Sequence, residues 1–495
     1  MTLSDPSELS PHLERIKPLY ARVGIMGVGH AAYWPQFPGL LDQMQEKLAI
    51  FTDKVRRTGV EIIDLGISDT AETAYDILQK IKTSAPDLLF IDMVTYATSS
   101  TVACIFQATR IPIVLVALQP DPALDYAKAT THLQLLNDDI CALPEFACVA
   151  MRMGRPIPPM IIGTLHNDTA AEAEIVEFCQ IAKVLHSLKT ARIGQMGHVL
   201  EAMLDMHTDS TLLTATFGCH IVQTEVEDIF RRYREAPSEK VAQQKEEILS
   251  YFDTPDPKVD PITQKLTEAD LETAARVGTA LQQFIADKKL DGLAYYYEAE
   301  EGSEMRKVVT NLIVGNSILT GRGFPMCGEM DLKTCIGMLI MDRLDMGGSF
   351  AEFHPVDFRE GFVLVGHDGP HHLRIAEGKP VLRSLKKYHG KPGSGASVEF
   401  QLKAGPITML SVTQKADGKF MFVIAEGESR KGAIPATGNT NTRGFFEPDI
   451  RTFLQRWFAE GPTHHFALGI GHRAKTIKTI GDFLGIESVI IDTKA

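Results

Sequence analysis

Two carboxylates stand two residues apart in Gly328-Glu329-Met330-Asp331-Leu332-Lys333-Thr334, directly after a turn rich in glycine and proline. A second acidic group, Tyr297-Glu298-Ala299-Glu300-Glu301, ends an apolar run upstream, and a histidine pair lies far downstream in Pro462-Thr463-His464-His465-Phe466. Carboxylates with one or two imidazoles suit manganese, magnesium or a similar divalent cation rather than a thiolate-seeking metal. Such a site can polarise a carbonyl and its neighbouring hydroxyl while a carboxylate moves a proton between adjacent carbons. Glu329 and an acid of the upstream group, Glu298, Glu300 or Glu301, are the candidates for that work, as ligands and as acid/base. His465 is a candidate ligand, and His464 could orient substrate. Plainer roles compete with these. Glu329 precedes an apolar helix running to Leu344, whose dipole favours acids there, and Asp331 is placed to cap that helix. His465 could be a core histidine, and Lys333 could pair with Asp331 or sit in solvent.

Stepping outward to the elements, apolar runs at Val23 to Val28, Val60 to Leu65, Leu88 to Val94 and Ile111 to Leu118 alternate with helical patterns over Leu40 to Arg57 and Ala71 to Ser84. That spacing predicts a parallel α/β sheet. Ligands of such sheets gather at the carboxyl ends of the strands, where His30 stands in Gly27-Val28-Gly29-His30. The pair Gly27 and Gly29 lacks the third glycine of a dinucleotide fingerprint. A proline-rich joint, Arg155-Pro156-Ile157-Pro158-Pro159, predicts a boundary before a second α/β pattern with strands at Met160 to Gly163, Ala191 to Gly194, Ile221 to Thr224 and Leu293 to Tyr297. Between them a charged helix is expected over Val226 to Phe252 and another over Glu268 to Lys288. The last third reads as short strands, with Ala416-Asp417-Gly418 as a hairpin turn, a closing helix from Ile450 to Trp457 and an α/β tail. The expected architecture is two Rossmann-like parallel-sheet α/β domains, residues 1–157 and 158–325, followed by a β-rich, barrel-like domain with a closing α/β tail, residues 326–495.

The 495 residues include 44% hydrophobic and 23% charged side chains with a net charge of -13, which is an ordinary globular composition without a nucleic-acid footprint. No run reaches the roughly 18 apolar residues of a membrane span, and the N-terminus lacks a basic segment followed by an apolar core, so a cytoplasmic protein is expected. Seven cysteines without CxxC spacing read as buried free thiols, Cys327 among them.

The motifs Gly328-Glu329-x-Asp331-x-Lys333-Thr334, Gly348-Ser349-Phe350, the segment ending Asp357-Phe358 and Gly461-x-x-His464-His465 resemble the L-arabinose isomerase family, with L-fucose isomerases as more distant relatives. The likeness is carried mainly by residues from Leu293 onward. It implies a metal-dependent aldose–ketose isomerase that acts on a sugar through an enediolate, with Mn2+, or another divalent cation such as Mg2+ or Co2+. In the family two glutamates and two histidines hold the metal. By resemblance Glu329 is the second glutamate, His465 the second histidine and Glu298 the first glutamate. Where the family has a His-Phe pair, spacing from Gly348 gives Asp357-Phe358, so Asp357 is the expected fourth ligand and His354 its alternative. The segment that helps hold arabinose in the family is replaced here by Leu136-Asn137-Asp138-Asp139-Ile140-Cys141, so arabinose itself is not implied. Sugar contacts are expected from His30, His354, His367 and His464, and from Asn439, Asn441 and Arg443. Relatives assemble as hexamers, which implies a homo-oligomer with a small-molecule sugar substrate and neither nucleic acid nor membrane as partner. Two other functions fit the same residues: a metal-dependent epimerase, decarboxylase or lyase of an oxidised sugar, and a sugar-binding or regulatory protein without turnover.

Overall fold

The computed structural model describes residues 13–255, 266–384, 387–388, 391–392, 395–435 and 439–492. The stretch Thr254-Pro255-Asp256-Pro257, whose prolines predict a turn after the charged helix, falls partly outside them, as does Gly438, which opens the hydrogen-bonding run through Asn439 and Asn441 to Arg443. The chain divides into two compact units, Leu19–Ser187 and Leu188–Ala495 with Met1–Pro18.

In the first unit, strands β1 (Arg22–Val28), β2 (Glu61–Ser68), β3 (Leu88–Met93), β4 (Ile113–Gln119) and β5 (Met160–Thr164) form one parallel sheet in the order β2-β1-β3-β4-β5. β3 is buried along its whole length, as a central parallel strand covered on both faces must be. Helix α1 (Leu40–Arg56) buries Leu40, Met44, Leu48, Phe51 and Val55, a stripe at three- and four-residue spacing. Helix α2 (Ala71–Ser84) starts at Thr70, which exchanges side-chain and backbone hydrogen bonds with Thr73. The proline joint at Arg155 to Pro159 leads into β5, which pairs with β4 as the fifth strand of this same sheet rather than opening a new one. The Arg155 guanidinium ties the joint down by donating to the carbonyls of Phe106, Thr109 and Ile111.

The second unit holds a smaller parallel sheet, β6 (Arg192–Met196), β7 (His220–Thr224), β8 (Gly292–Tyr295) and β9 (Met326–Cys327), in the order β7-β6-β8-β9. The single charged helix expected over Val226 to Phe252 is two helices, α3 (Val226–Glu235) and α4 (Ser238–Tyr251). Pro237 separates them, because it has no N–H to continue the helix and forces Ala236 into an extended conformation. Helix α5 (Glu268–Lys288) follows as expected.

A mixed, largely antiparallel sheet then closes on itself. It runs β12 (Gly405–Gln414), β15 (Phe466–Ile470), β10 (Gly347–Asp357), β11 (Phe362–Gly366), β14 (Thr442–Phe445), β13 (Phe420–Arg430), β16 (Glu487–Ile490), and β12 pairs back onto β13. The β-rich, barrel-like third part is therefore present, and the strand β10, absent from the sequence expectation, lies at its centre. Helix α6 (Leu332–Arg343) is buried on every side, packing on β8 and β9 and on the barrel strands β10, β12 and β15. Helix α7 (Ile450–Ala459) buries Ile450, Phe453, Leu454 and Trp457. Among the described residues no helix is long and apolar enough to cross a membrane.

Candidate active site

Glu329 is held by a strained backbone. Glu329 and the adjacent Met330 have φ of 57° and 56°, the left-handed region that side-chain-bearing residues avoid. Such residues cost about 1–2 kcal/mol each and cluster at functional sites. The turn between β9 and α6 is fixed on its far side by Asp331, whose carboxylate accepts from the Thr334 N–H at 3.0 Å and the Thr334 hydroxyl at 2.8 Å, capping α6. The same carboxylate accepts from Nδ1 of His465 at 3.1 Å. Both side chains are fully buried. Asp331 thereby fixes the tautomer of His465 and turns Nε2 towards Glu329, the usual arrangement behind a metal-binding imidazole.

Three neighbouring segments of the barrel deliver the other donors. The register pairs Ala351 with Phe466 and Glu352 with Gly366. One step further along each strand sets His465 opposite Glu352 and His367 opposite Ala351. Phe350 lies between the two imidazoles, with its centroid 4.3 Å from each ring. Nδ1 of His367 donates to the Asp368 carbonyl at 2.9 Å, which leaves its Nε2 facing Glu329 at 3.9 Å. Two overlapping groups have ligand atoms close enough to share one cation: Glu329, His464 and His465, and Glu352, His367 and His465.

The electrostatics suit that use. Burial pushes the Glu329 carboxyl up to about 7, opposed by His464 and reinforced by the nearby Glu352, Asp331 and Asp368 charges. Burial lowers His367 and His465, so both imidazoles are neutral and able to bind metal. Glu329 Oε2 and His465 Nε2 are buried without a hydrogen-bond partner and stand 3.5 Å apart. Two buried orphans facing each other are costly unless something satisfies both, and a divalent cation fits that gap.

His464 is differently held. Its Nδ1 and its backbone N–H both donate to Asp205, at 2.7 and 3.0 Å. Burial opposes the charged ring, but the Asp205 bond and the Asp205, Glu329 and Glu352 charges raise its pKa. Asp205 sits on a segment anchored from below by Lys333, whose ammonium donates to the carbonyls of Asp205 at 2.6 Å and His207 at 3.3 Å. Lys333 is therefore neither solvated nor bonded to Asp331; it is 1% exposed, because those carbonyls replace its water.

Glu298 lies on the loop after β8, where its carboxylate accepts from the Tyr296 hydroxyl at 3.4 Å. Tyr297 feels both Glu329 and Glu298; burial first and then those charges push its hydroxyl up, so it stays protonated. Glu298, Glu300, Glu301 and Asp357 belong to neither ligand group. Asp357 ends β10, and its carboxylate accepts the N–H groups of Arg359 and Glu360, at 2.8 and 2.9 Å, to shape the turn into β11. His354 lies 3.9 Å from Glu352. Asn441 is 1% exposed; its N–H donates to Val365 and its carbonyl accepts from Leu402, so it stitches strands together. Arg443 lies 4.1 Å over the Phe362 ring and pairs with Glu360. Asn439 accepts from the Thr440 hydroxyl. His30 stands in the first unit, edge-on to Tyr33 at 5.1 Å. Cys327 is buried and burial pushes its thiol well up, consistent with packing. Sequence reasoning missed Glu352 and Asp205. Glu352 shares a strand face with Phe350, an alternation that is legible only once Gly347–Asp357 is known to be a strand.

No family model matches the chain. It is 22% identical over 328 residues to a sulfoquinovose isomerase of Alkalicoccus urumqiensis, covering 66% of this chain and 70% of that one. It is 24% identical over 398 residues to an L-arabinose isomerase of Nocardioides sp., covering 78% and 76%. A sulfoquinovose isomerase of Priestia megaterium is 19% identical over 86% of this chain and 90% of its own. With the Glu329 turn, the paired histidines and the order of two parallel sheets before a closed barrel, the chain is similar over much of its length to L-arabinose isomerase-like proteins.

Proposed function

We propose that the chain is a divalent-metal-dependent aldose–ketose isomerase acting on a sugar, with manganese as the first metal to test. The observation that carries this reading is the pair of buried, unpartnered donors, Glu329 Oε2 and His465 Nε2, 3.5 Å apart within a cluster that adds Glu352, His367 and His464. Glu329, Glu352, His367 and His465 would hold a divalent cation, which when bound polarises the substrate's carbonyl and adjacent hydroxyl oxygens. Aldose–ketose conversion further needs a proton moved between two neighbouring carbons, and a group whose pKa lies near neutrality does this best. Glu329, at about 7, and Glu298, on the loop beside Tyr297, are the carboxylates for that transfer. The Tyr297 hydroxyl remains a donor, and Asp331 and Asp205 keep His465 and His464 in fixed orientations. The reading covers the reaction rather than the sugar, since the relatives are named for both L-arabinose and sulfoquinovose. A homo-oligomer goes with it.

The test combines manganese binding by equilibrium dialysis of metal-stripped protein with loss of deuterium from 2-deuterated aldoses. The expected result is a single tight manganese ion per chain, release of deuterium and appearance of the ketose, with all three lost in Glu329→Gln. Protein that binds no manganese and releases no deuterium from pentoses, hexoses or their sulfonated derivatives would refute the reading.

A further inference from the structure

The helix Leu143–Arg152 of the first unit is apolar on both of its faces. Leu143, Phe146 and Ala150 form its buried stripe and pack into the core of the parallel sheet. The opposite stripe is Cys141, Pro144, Cys148 and Met151, at intervals of three, four and three residues, and all four are exposed. Exposed Ile140 precedes it, and exposed Met153 and Ile157 follow; Met151 is 56% open to solvent. The helix has two charged residues, Glu145 and Arg152. The Glu145 carboxylate accepts the Ser99 N–H at 2.7 Å, so the middle of the outward face carries no charge. A helix that borders water lines that side with polar residues, and one that is apolar all round is normally buried. Contiguous apolar surface of this kind marks an interaction site.

The charges at the two ends say what covers it. Asp138 and Glu145 stand at the start of the helix. At its end stand Arg152 and Arg155, whose N–H donates to the Ala150 carbonyl, with Arg110 close enough for its charge to be felt at Arg155. The surface is therefore acidic at one end, apolar in the middle and basic at the other. A parallel copy would set like charges together. About a twofold axis across the stripe, the acidic end of one copy meets the basic end of the other and the helix dipoles oppose each other.

We infer that this face is an interface between two copies of the chain, which pack their Leu143–Arg152 helices antiparallel about a twofold axis passing between Pro144 and Cys148. The apolar middle supplies the affinity, and the charged ends set the orientation. This deepens the homo-oligomer reading by naming a surface and its symmetry, and it does not depend on the reaction catalysed.

Five of the seven thiols are buried, as the sequence implied, but Cys141 and Cys148 are exposed. Packed helix axes run about 8–10 Å apart, so the two Cys148 thiols of the pair come within the span of a short bismaleimide. In Cys141→Ser protein, where Cys148 is the remaining exposed thiol, the reagent is expected to give a covalent dimer on a denaturing gel. Met151→Arg should abolish that product and raise the dissociation constant measured by sedimentation at least tenfold, because it buries a cation without a partner. Met151→Leu should keep both. Arg152→Glu, which sets acid against acid, should weaken association more at low salt than at high salt. Exposed positions tolerate such changes, and an unchanged thermal midpoint checks that they do. Tyr75→Cys, on the exposed side of α2 in protein carrying Cys141→Ser and Cys148→Ser, should give no covalent dimer. No dimer through Cys148, an undiminished one in Met151→Arg, undiminished association in Arg152→Glu, or an equal yield through Tyr75→Cys would each overturn the inference. A chain that associates while Cys148 stays unlinked keeps the homo-oligomer and loses this interface. A chain linked through Cys148 that converts no aldose loses the isomerase reading alone.

Discussion

Asp331 carries two jobs with one carboxylate, and they can be separated. Replacing it with asparagine keeps an oxygen able to cap α6, but removes the negative charge that holds the His465 Nδ1–H, so the imidazole loses its enforced tautomer. Asp331→Asn is expected to lower manganese affinity by about 10–100-fold while the thermal midpoint moves little; dialysis and calorimetry on the same sample check this. An equal collapse of both would mean that Asp331 is merely structural. A pH dependence follows from Glu329. Its carboxyl, raised to about 7, keeps a proton below that pH in the metal-free protein. Cation binding must displace it, so apparent affinity should fall about tenfold per unit as pH drops below 7 and level off above it. Glu329→Gln should abolish that slope along with tight binding. At this scale the sequence showed the reactive types well: Glu329, His367, His464 and His465 meet in space. It did not show Glu352, because its role depends on which face of β10 it occupies, and the segment from Gly347 to Asp357 reads as a polar, proline-containing loop until its pairing with β15 and β11 is known.

The elements were legible where a single periodicity governs them. Central parallel strands such as β3 are continuous apolar runs and were found at nearly their observed bounds. Long amphipathic helices such as α5 were found for the same reason. Helix α3 and helix α4 were merged, since charge is continuous across Pro237 and only backbone chemistry divides them. The assignment of β5 failed for a different cause: nothing local tells a strand which sheet it will extend. One element interior is also a charge trap. Lys47 on α1 donates to the Val94 and Leu136 carbonyls and to Asp139, which is completely buried, at 2.7, 2.9 and 2.8 Å. Removing the ammonium would leave the buried Asp139 without its counter-ion, so Lys47→Met should destabilise the first unit by about 3–5 kcal/mol, measured by urea unfolding. Asp92, at the end of β3, is buried nearby; desolvation first, then Asp139, pushes it up to about 8 from an ordinary 3.8. Its folded pKa exceeds its unfolded one, so folding takes up a proton between those values. Stability from this group is fully present below about pH 4 and is lost as pH rises through about 8. Asp92→Asn should therefore be more stable than the parent at pH 9, and no more stable at pH 4.

On the scale of the whole molecule, the two units hold different titrating devices and one tryptophan each. Every donor of the candidate metal cluster lies between Glu329 and His465, in the second unit, whereas Lys47, Asp92 and Asp139 lie in the first. Trp34, whose indole N–H donates to Asp69, belongs to the first unit, and Trp457 is in the core of the second. A ligand that binds only the folded state stabilises what it binds by about 2.7 kcal/mol at one hundred times its dissociation constant. Manganese at that level should therefore shift the urea transition seen by Trp457 in Trp34→Phe protein, and leave the transition seen by Trp34 in Trp457→Phe protein where it was. Asp92→Asn at pH 9 should do the opposite. If manganese moves both transitions together, the units unfold as one cooperative body, and the cluster's stabilisation is shared by the whole chain instead of being confined to the unit that contains it.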